Sequence, residues 1–429
     1  MRSLWPHGGL WRHPDFLKLW SAETISQFGT QVSNLAIPLV AILVLDATAF
    51  EVAALGTVLF LPFIIFTLPA GVWVDRMRRK PILVAGDLGR AALLATIPLA
   101  YLADALTLWQ LYVVGFLVGT CTVFFDVAYQ SYLPSLVERD QIIDGNSKLE
   151  ISHSAAQIAG PGFSGVLVQA LTAPYAVLVD AASFLGSGLF ILRIRKQEEL
   201  PVTEHPAHER RSLWRDTTEG LRFVLGNPYL RGQAGCTGTS NFFFSVGFSI
   251  ILVYLVRVLD VSPGVIGVIL SIGSIGSLVA AFTVQRLSAR FGVGRTAIVA
   301  SAIEGPAMLL VVLAPVDSPI PWLIAAQLVI GFAIVAYNVM VVSYRQAICP
   351  ERMQGRMNSV MRFIVWGTIP LGNLAGGALA TWVGLRETIL IGAIGGGLAF
   401  LWLLLSPMRH VREMPTEPIE IAGAEPAPA

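Results

Sequence analysis

The chain has 429 residues, 55% hydrophobic and only 13% charged, with a formal net charge of +1 and a mean hydropathy of +0.68. Soluble globular proteins carry roughly 25% charged residues, so most of this surface has to face hydrocarbon, and the chain reads as an integral membrane protein. With a net charge this close to zero nothing suggests nucleic-acid binding, and Cys121, Cys236 and Cys349 stand far apart with no metal-ligand spacing.

The N-terminal stretch MRSLWPHGGLWRHPDFLKLW lacks a clean apolar core and a small-residue cleavage site. It therefore reads as an amphipathic lead-in to a span and not as a signal peptide. Crossing a bilayer takes about 20 mostly apolar residues. Scanning on that basis predicts twelve spans at roughly 16–45, 50–74, 82–103, 107–133, 148–171, 174–193, 231–257, 263–287, 295–315, 320–344, 356–382 and 386–407.

Span one carries Glu23, Gln27, Thr30, Gln31 and Asn34 at spacings that place them on one helical face. Polar groups in a span are costly against lipid, so this face is expected to line a cavity. Glu23 is a proton or cation candidate; the alternative is an interfacial carboxylate paired with Lys18 or a basic loop.

Between spans two and three, GVWVDRMRRK brings together Gly71, Asp75, Arg76, Arg79 and Lys80. Two readings stay open for this loop: simple topological anchoring, or a gate. As a gate, Asp75 would meet the N-terminus of span eleven, whose dipole favours an anion, and Arg76 and Arg79 would pair with Glu138 or Asp140.

Span three holds Asp87 and Arg90, spaced to neutralise each other. Span four presents Thr122, Asp126, Tyr129 and Gln130 on one face, with Asp126 the second proton candidate. Span five presents Glu150, Ser154 and Gln157, then Gly160, Pro161 and Gly165 within AGPGFSG. Glu150 is expected at the interface, paired with Lys148 or His153, and Asp180 is expected at the outer start of span six.

After a polar, Pro-containing linker, span seven carries Thr237, Asn241 and Ser245, with Phe242, Phe243 and Phe244 beside them. Aromatic walls there would suit a bulky amphipathic or cationic molecule. Glu304 in span nine is expected at the periphery as a weak proton candidate. Arg362 in span eleven is expected to pair structurally or to meet an anionic substrate.

The predicted organisation is an N-terminal six-helix half (1–193), a cytoplasmic linker (194–230), a C-terminal six-helix half (231–407) and a disordered cytoplasmic tail (408–429). Of the 29 Lys and Arg, only Arg257 and Arg386 fall near ends assigned to the outside. That bias places both termini in the cytoplasm. The halves echo each other: at an offset of 212 residues, Asn146-Ser147, Gly160 and Gly165 fall on Asn358-Ser359, Gly372 and Gly377. At an offset of 210, Arg76 and Lys80 fall on Arg286 and Arg290, as in a parallel repeat.

The pattern Gly-x-x-x-Asp-Arg-x-x-Arg-Lys at 71–80 resembles the loop 2–3 signature of the major facilitator superfamily. AGPGFSG at 159–165 is similar to the antiporter motif of that superfamily's exporters. ETISQFGTQVSNLAIPL, FFDVAYQSYLPSLV and NSKLEISHSAAQIAGP resemble its drug:proton antiporter group, which contains macrolide efflux proteins and the enterobactin exporter. The resemblance spans essentially the whole chain. It departs at Arg78, where the signature has Gly, at Ser164 in the antiporter motif, and in span four, which lacks the embedded Arg of better-known drug exporters. It implies the all-α major facilitator fold of twelve transmembrane helices in two halves, with spans one, four, seven and ten bordering a central cavity.

No Gly-Lys pair occurs anywhere, which excludes an ATP-binding loop of the Gly-x4-Gly-Lys type. No paired nucleophile and base suggests an enzyme, and no filter loop suggests a channel. The expectation is a proton-coupled secondary exporter of a small amphipathic drug, antibiotic or siderophore, without cofactor, working as a monomer in the cell membrane. The alternatives are a proton-coupled uptake symporter and a non-transporting receptor or assembly factor on the same fold.

Overall fold

The computed structural model describes residues 10–74, 76–196, 198 and 213–415, and among them every regular element is a helix. The first six long helices are α1 (Pro14–Leu43), α2 (Ala49–Val74), α3 (Arg79–Leu102), α4 (Leu108–Leu136), α5 (Ile142–Leu171) and α6 (Ala173–Leu192). A short helix, α7 (Leu213–Gly226), forms inside the region expected to be the linker. Then come α8 (Pro228–Phe248) and α9 (Ile251–Arg257), which make one interrupted span, α10 (Pro263–Phe291), α11 (Val293–Leu313), α12 (Ile320–Ile348) and α13 (Glu351–Val383). The last span is α14 (Leu385–Gly397) with α15 (Leu401–Leu404).

These are the twelve transmembrane helices of a multi-pass membrane protein. Ten are long and apolar enough to cross a bilayer on composition alone; α1 and α5 are the two that are not. They fall short because of the polar faces read from the sequence, so the two least apolar spans are where polar chemistry is concentrated.

Two compact units form. The first comprises α1–α6 with residues 249–272 (α9 and the start of α10) and 377–385 (chiefly the end of α13). Within it α1 packs on α5 and α6, α3 on α4 and α6, and α2 on α4. Phe16, Leu19, Leu83, Phe125, Tyr132 and Ile191 fill part of its core. At Gly29 of α1 an added Cβ would run into Ser183 Oγ and Asp180 Oδ1 of α6, so only Gly lets these two helices close.

The same unit displays the sequence repeat as geometry. A Cβ on Gly165 of α5 would lie 2.6 Å from Pro263 O and 2.9 Å from Gly267 Cα of α10. Its repeat partner Gly377 of α13 would place one 2.8 Å from Ala53 Cβ and 3.0 Å from Phe50 Cα of α2. Span five thus closes on span eight as span eleven closes on span two. The equivalence at offset 212 is a packing rule applied twice.

Residues 193–196 and 198 strap one end of this unit. Asp15 accepts from the backbone N–H of Lys196 at 2.9 Å and of Arg195 at 3.2 Å, and from Lys18 Nζ at 2.7 Å. Lys196 Nζ donates to Leu136 O at 3.1 Å, and Lys80 Nζ donates to Leu192 O and Ile194 O. Glu198 accepts the Arg79 backbone N–H at 2.7 Å, that of Lys80 at 3.2 Å, and pairs with the Arg79 guanidinium at 3.0 Å. The expected pairing of Arg79 with Glu138 or Asp140 is therefore corrected. The carboxylate that reaches it comes from 119 residues away and caps the N-terminus of α3, where free N–H groups attract an anion. Arg76 is exposed, and Asp75 lies outside the described residues.

In the second unit α11 packs on α12, and α7 packs on α8. Val224 of α7 is fully buried with Met340, Met357 and Leu403. Glu219 of α7 pairs with Arg356 of α13 at 2.7 Å. The tail, expected to be disordered from 408, begins ordered. Met408 is fully buried, and Val411 O and Arg412 O accept from the backbone N–H groups of Gly294 and Val293 at 2.9 and 3.1 Å. Those N–H groups open α11 and have no partner within the helix, so the chain beyond the last span supplies one. Residues 416–429 lie outside the described residues.

Candidate functional site

Polar side chains collect at two places, one in each unit. In the first unit, Glu23 of α1 is buried and its Oε1 accepts from Gln27 Nε2 at 2.6 Å. Gln27 Oε1 lies 3.2 Å from His153 Nδ1 of α5. An amide oxygen only accepts, so the hydrogen sits on Nδ1. That leaves His153 Nε2 to accept from Gln157 Nε2 at 2.7 Å. The result is a directional chain from buried Glu23 to exposed Gln157, crossing from α1 to α5. Glu23 Oε2 is buried without a hydrogen-bond partner.

The alternative for Glu23, pairing with Lys18, is not what forms: Lys18 is held by Asp15. Lys148 pairs with Asp144, and His153 is taken by the chain, so Glu150 gains neither expected partner and is exposed. Gln31 packs its side chain against Gly160, and Asn34 is exposed. The backbone N–H of Gly162, beside Pro161, donates to Ser271 Oγ at 2.8 Å.

Asp126 of α4 is exposed, within electrostatic reach of Arg90 and His153 and of Glu23 itself. Tyr129 stacks on Phe125 at 6.0 Å and its hydroxyl is buried without a partner, while Gln130 is exposed. Arg90 pairs with Asp87 at 2.5 Å and is sandwiched between the rings of Phe125 and Phe184 at 4.3 and 4.0 Å. Asp180 is not at the helix start as expected. Since α6 begins at Ala173, Asp180 lies two turns in, buried against α1 and bonded by Ser183 Oγ at 3.0 Å.

In the second unit a cavity of about 270 Å³ opens among α8, α11, α12 and α13. Its charged lining is Glu304, Arg345 and Arg362, with Asn241, Thr237 and Tyr337 beside them. Ser240 Oγ donates to Glu304 Oε2 at 2.8 Å, and Thr237 Oγ1 and Tyr337 Oη are 2.7 Å apart. Asn241 Nδ2 donates to Val365 O at 3.2 Å, which fixes its amide at the wall.

Two expectations are corrected here. Glu304 is no bystander, because the face of α11 that carries it turns into the cavity. Phe242, Phe243 and Phe244 do not wall this cavity. Phe242 and Phe243 meet edge to face at 5.2 Å and Phe244 stacks on Phe248, where the backbone of Phe242 abuts Gly372 and the ring of Phe243 abuts Gly395. His153 was read only as a partner for Glu150, and Tyr337 and Arg345 were missed. The last two were findable, since Tyr337, Val341 and Arg345 recur every fourth position on α12, the spacing that exposed the other stripes.

Comparison with known proteins agrees with this architecture. A family model described as a transmembrane secretion effector matches residues 9–425. The chain is 26% identical over 388 residues to the multidrug efflux pump Tap of Mycolicibacterium fortuitum, covering 88% of this chain and 92% of that protein. It is 24% identical over 385 residues to the uncharacterized MFS-type transporter YfiS of Bacillus subtilis strain 168, covering 87% and 89%. In fold it is similar to a bacterial homologue of the iron transporter ferroportin, with a TM-score of 0.72 at 14% identity over 91% of this chain and 98% of that one. The nucleoside transporter NupG is also similar, with a TM-score of 0.70 at 13% identity over 91% and 98%.

Proposed function

Because the chain belongs to the transmembrane secretion effector family of major facilitator transporters, we propose that it exports a small amphipathic molecule in exchange for protons. In this reading it sits in the cell membrane with both termini cytoplasmic and works by alternating access. The observation that carries proton coupling is the chain Glu23–Gln27–His153–Gln157, which ends on a buried carboxylate whose second oxygen has no partner. Charged groups in a span are costly unless they serve a path or a partner. In this reading Glu23 Oε2, which has no hydrogen-bond partner, takes up and releases the proton, while Gln27, His153 and Gln157, each donating toward Glu23, hold the carboxyl in place.

Asp126, exposed and close enough to act electrostatically on Glu23, biases the charge on that carboxyl. Export rather than uptake is supported by Gly160, Pro161 and Gly165 in α5 and by the similarity to a multidrug efflux pump. The membrane potential supplies about 2.3 kcal/mol per charge per 100 mV, enough for useful accumulation. The test is substrate flux in inverted vesicles, with and without a proton uncoupler, in wild type and Glu23→Gln. Wild-type uphill export should collapse on uncoupling, and Glu23→Gln should lose uphill export yet keep downhill exchange. Export that survives uncoupling and stops on ATP depletion would refute the reading.

A further inference from the structure

The cavity of the second unit contains three charged side chains that do not neutralise one another. Among the described residues the ion pairs are those of Lys18, Arg79, Arg90, Lys148, Arg257 and Arg356, and neither Arg345 nor Arg362 takes part in one. Arg345 Nε is buried without a hydrogen-bond partner. Arg362 is exposed, with its guanidinium 5.3 Å from the Trp366 ring, an arrangement that orients the fork without discharging it. Glu304 accepts only from a neutral hydroxyl, Ser240 Oγ. The wall thus has two free guanidinium groups and one carboxylate, enclosing about 270 Å³.

A buried donor left unmade is costly, and a planar guanidinium matches carboxylate and phosphate oxygens two at a time. We infer that this cavity binds the anionic head, a carboxylate or phosphate, of an amphipathic molecule through Arg345 and Arg362. Glu304 with Ser240 then faces any cationic group that the same molecule carries. The inference rests on the transporter reading and deepens it: the substrate is an organic anion or zwitterion, not the cation that the aromatic run in α8 suggested. Thr237 and Tyr337 offer hydroxyls beside the guanidinium groups, and Asn241 is spoken for by Val365 O.

The experiment is calorimetric binding to purified protein in neutral detergent without any gradient, so failure of proton coupling leaves it untouched. Four probes share one ring system: naphthoate, naphthylalanine, naphthylmethylamine and naphthamide. Naphthoate and naphthylalanine should bind at least about tenfold more tightly than the amine and the amide, as a charge-assisted contact implies. Arg362→Gln, which alters an exposed side chain and should fold normally, should lower naphthoate affinity by a similar factor. Arg345→Gln should do the same and Arg345→Lys should restore part of it. Glu304→Gln should weaken naphthylalanine and spare naphthoate.

The same head chemistry occurs on anionic lipids, so phosphatidylglycerol is titrated against naphthoate. Weak competition supports a soluble substrate. Retention of the lipid through purification, with naphthoate excluded, would overturn the substrate inference. So would amine binding as tight as naphthoate, or unchanged naphthoate affinity in a stably folded Arg362→Gln.

Discussion

Gly165 and Gly377 are the positions where adding one methyl group should cost the most for the least chemistry. At Gly165 the new carbon would stand 2.6 Å from Pro263 O, against the 3.4 Å at which ordinary contact begins, so backbone must retreat by 3.4 − 2.6 = 0.8 Å. At Gly377 the shortfall to Ala53 Cβ is 3.4 − 2.8 = 0.6 Å. Overpacking of this kind costs about 1–3 kcal/mol, and the gain in helix propensity from Gly to Ala returns at most about 1 kcal/mol. The net cost, up to about 2 kcal/mol per site, falls only on the arrangement in which α5 lies on α10, or α13 on α2. Each about 1.4 kcal/mol is tenfold in a population. The two sites share no partners, so the double variant should sum.

The assay is alkylation of Ser271→Cys, placed where the native hydroxyl accepts from Gly162 N at 2.8 Å. In the parent the thiol should react slowly. With Gly165→Ala its rate should rise about tenfold, as the population shift implies, and transport should fall in parallel. Thermal unfolding run alongside separates a shifted equilibrium from general loss of structure. An unchanged alkylation rate with full transport in Gly165→Ala would refute the argument, because a methyl group cannot share space with a carbonyl oxygen.

Gly71→Ala provides the contrast: nothing lies within 4 Å of its Cβ position, so expression and transport should be unchanged and Tm equal or slightly higher. Glu198→Gln should cost about 0.5–2 kcal/mol, the range of a lost helix cap, read as a lower Tm; an unchanged Tm would mean that the carboxylate adds nothing to the strap at α3. Asp126→Asn should reduce uphill export in proteoliposomes less than Glu23→Gln does, since Asp126 stands outside the hydrogen-bonded chain; an equal or larger loss would transfer the proton to Asp126.

What was legible in the sequence was whatever depends on near neighbours in the chain. Hydropathy located twelve spans, and spacings of three and four residues located the face of α1 on which Glu23 and Gln27 now bond at 2.6 Å. A repeat offset of 212 paired Gly165 with Gly377 before either was seen to pack against backbone. What was hidden depends on helices meeting. Glu198 reaches Arg79 across 119 positions, and no local pattern distinguishes it from Glu138. Asp180 looked terminal because its burial is made by Gly29 and Ser183, one of them on another helix. Glu304 looked peripheral because span nine is usually peripheral in the family that the sequence resembles, and no partner stood near it in the chain. The aromatic run at 242–244 misled for the opposite reason: aromatic side chains fill gaps between helices as readily as they wall a pocket.

The division of charge between the units bears on how coupling would work. The first unit buries Glu23, Asp87, Arg90 and Asp180, while the cavity of the second holds Glu304, Arg345 and Arg362. In the proposed reading the proton and the anionic head therefore bind different side chains, and neither displaces the other directly. Exchange then requires that each ligand shift the same conformational equilibrium, because a ligand with equal affinity for both states shifts nothing. Linkage makes the effect reciprocal: whatever factor the proton imposes on substrate affinity, the substrate imposes on proton affinity. The closures at Gly165 and Gly377 are where such an equilibrium would be felt, since each closes helix on helix at a distance that admits no side chain. A packed seam of that kind is either made or broken, which in the proposed reading is what would convert two separate binding events into alternating access.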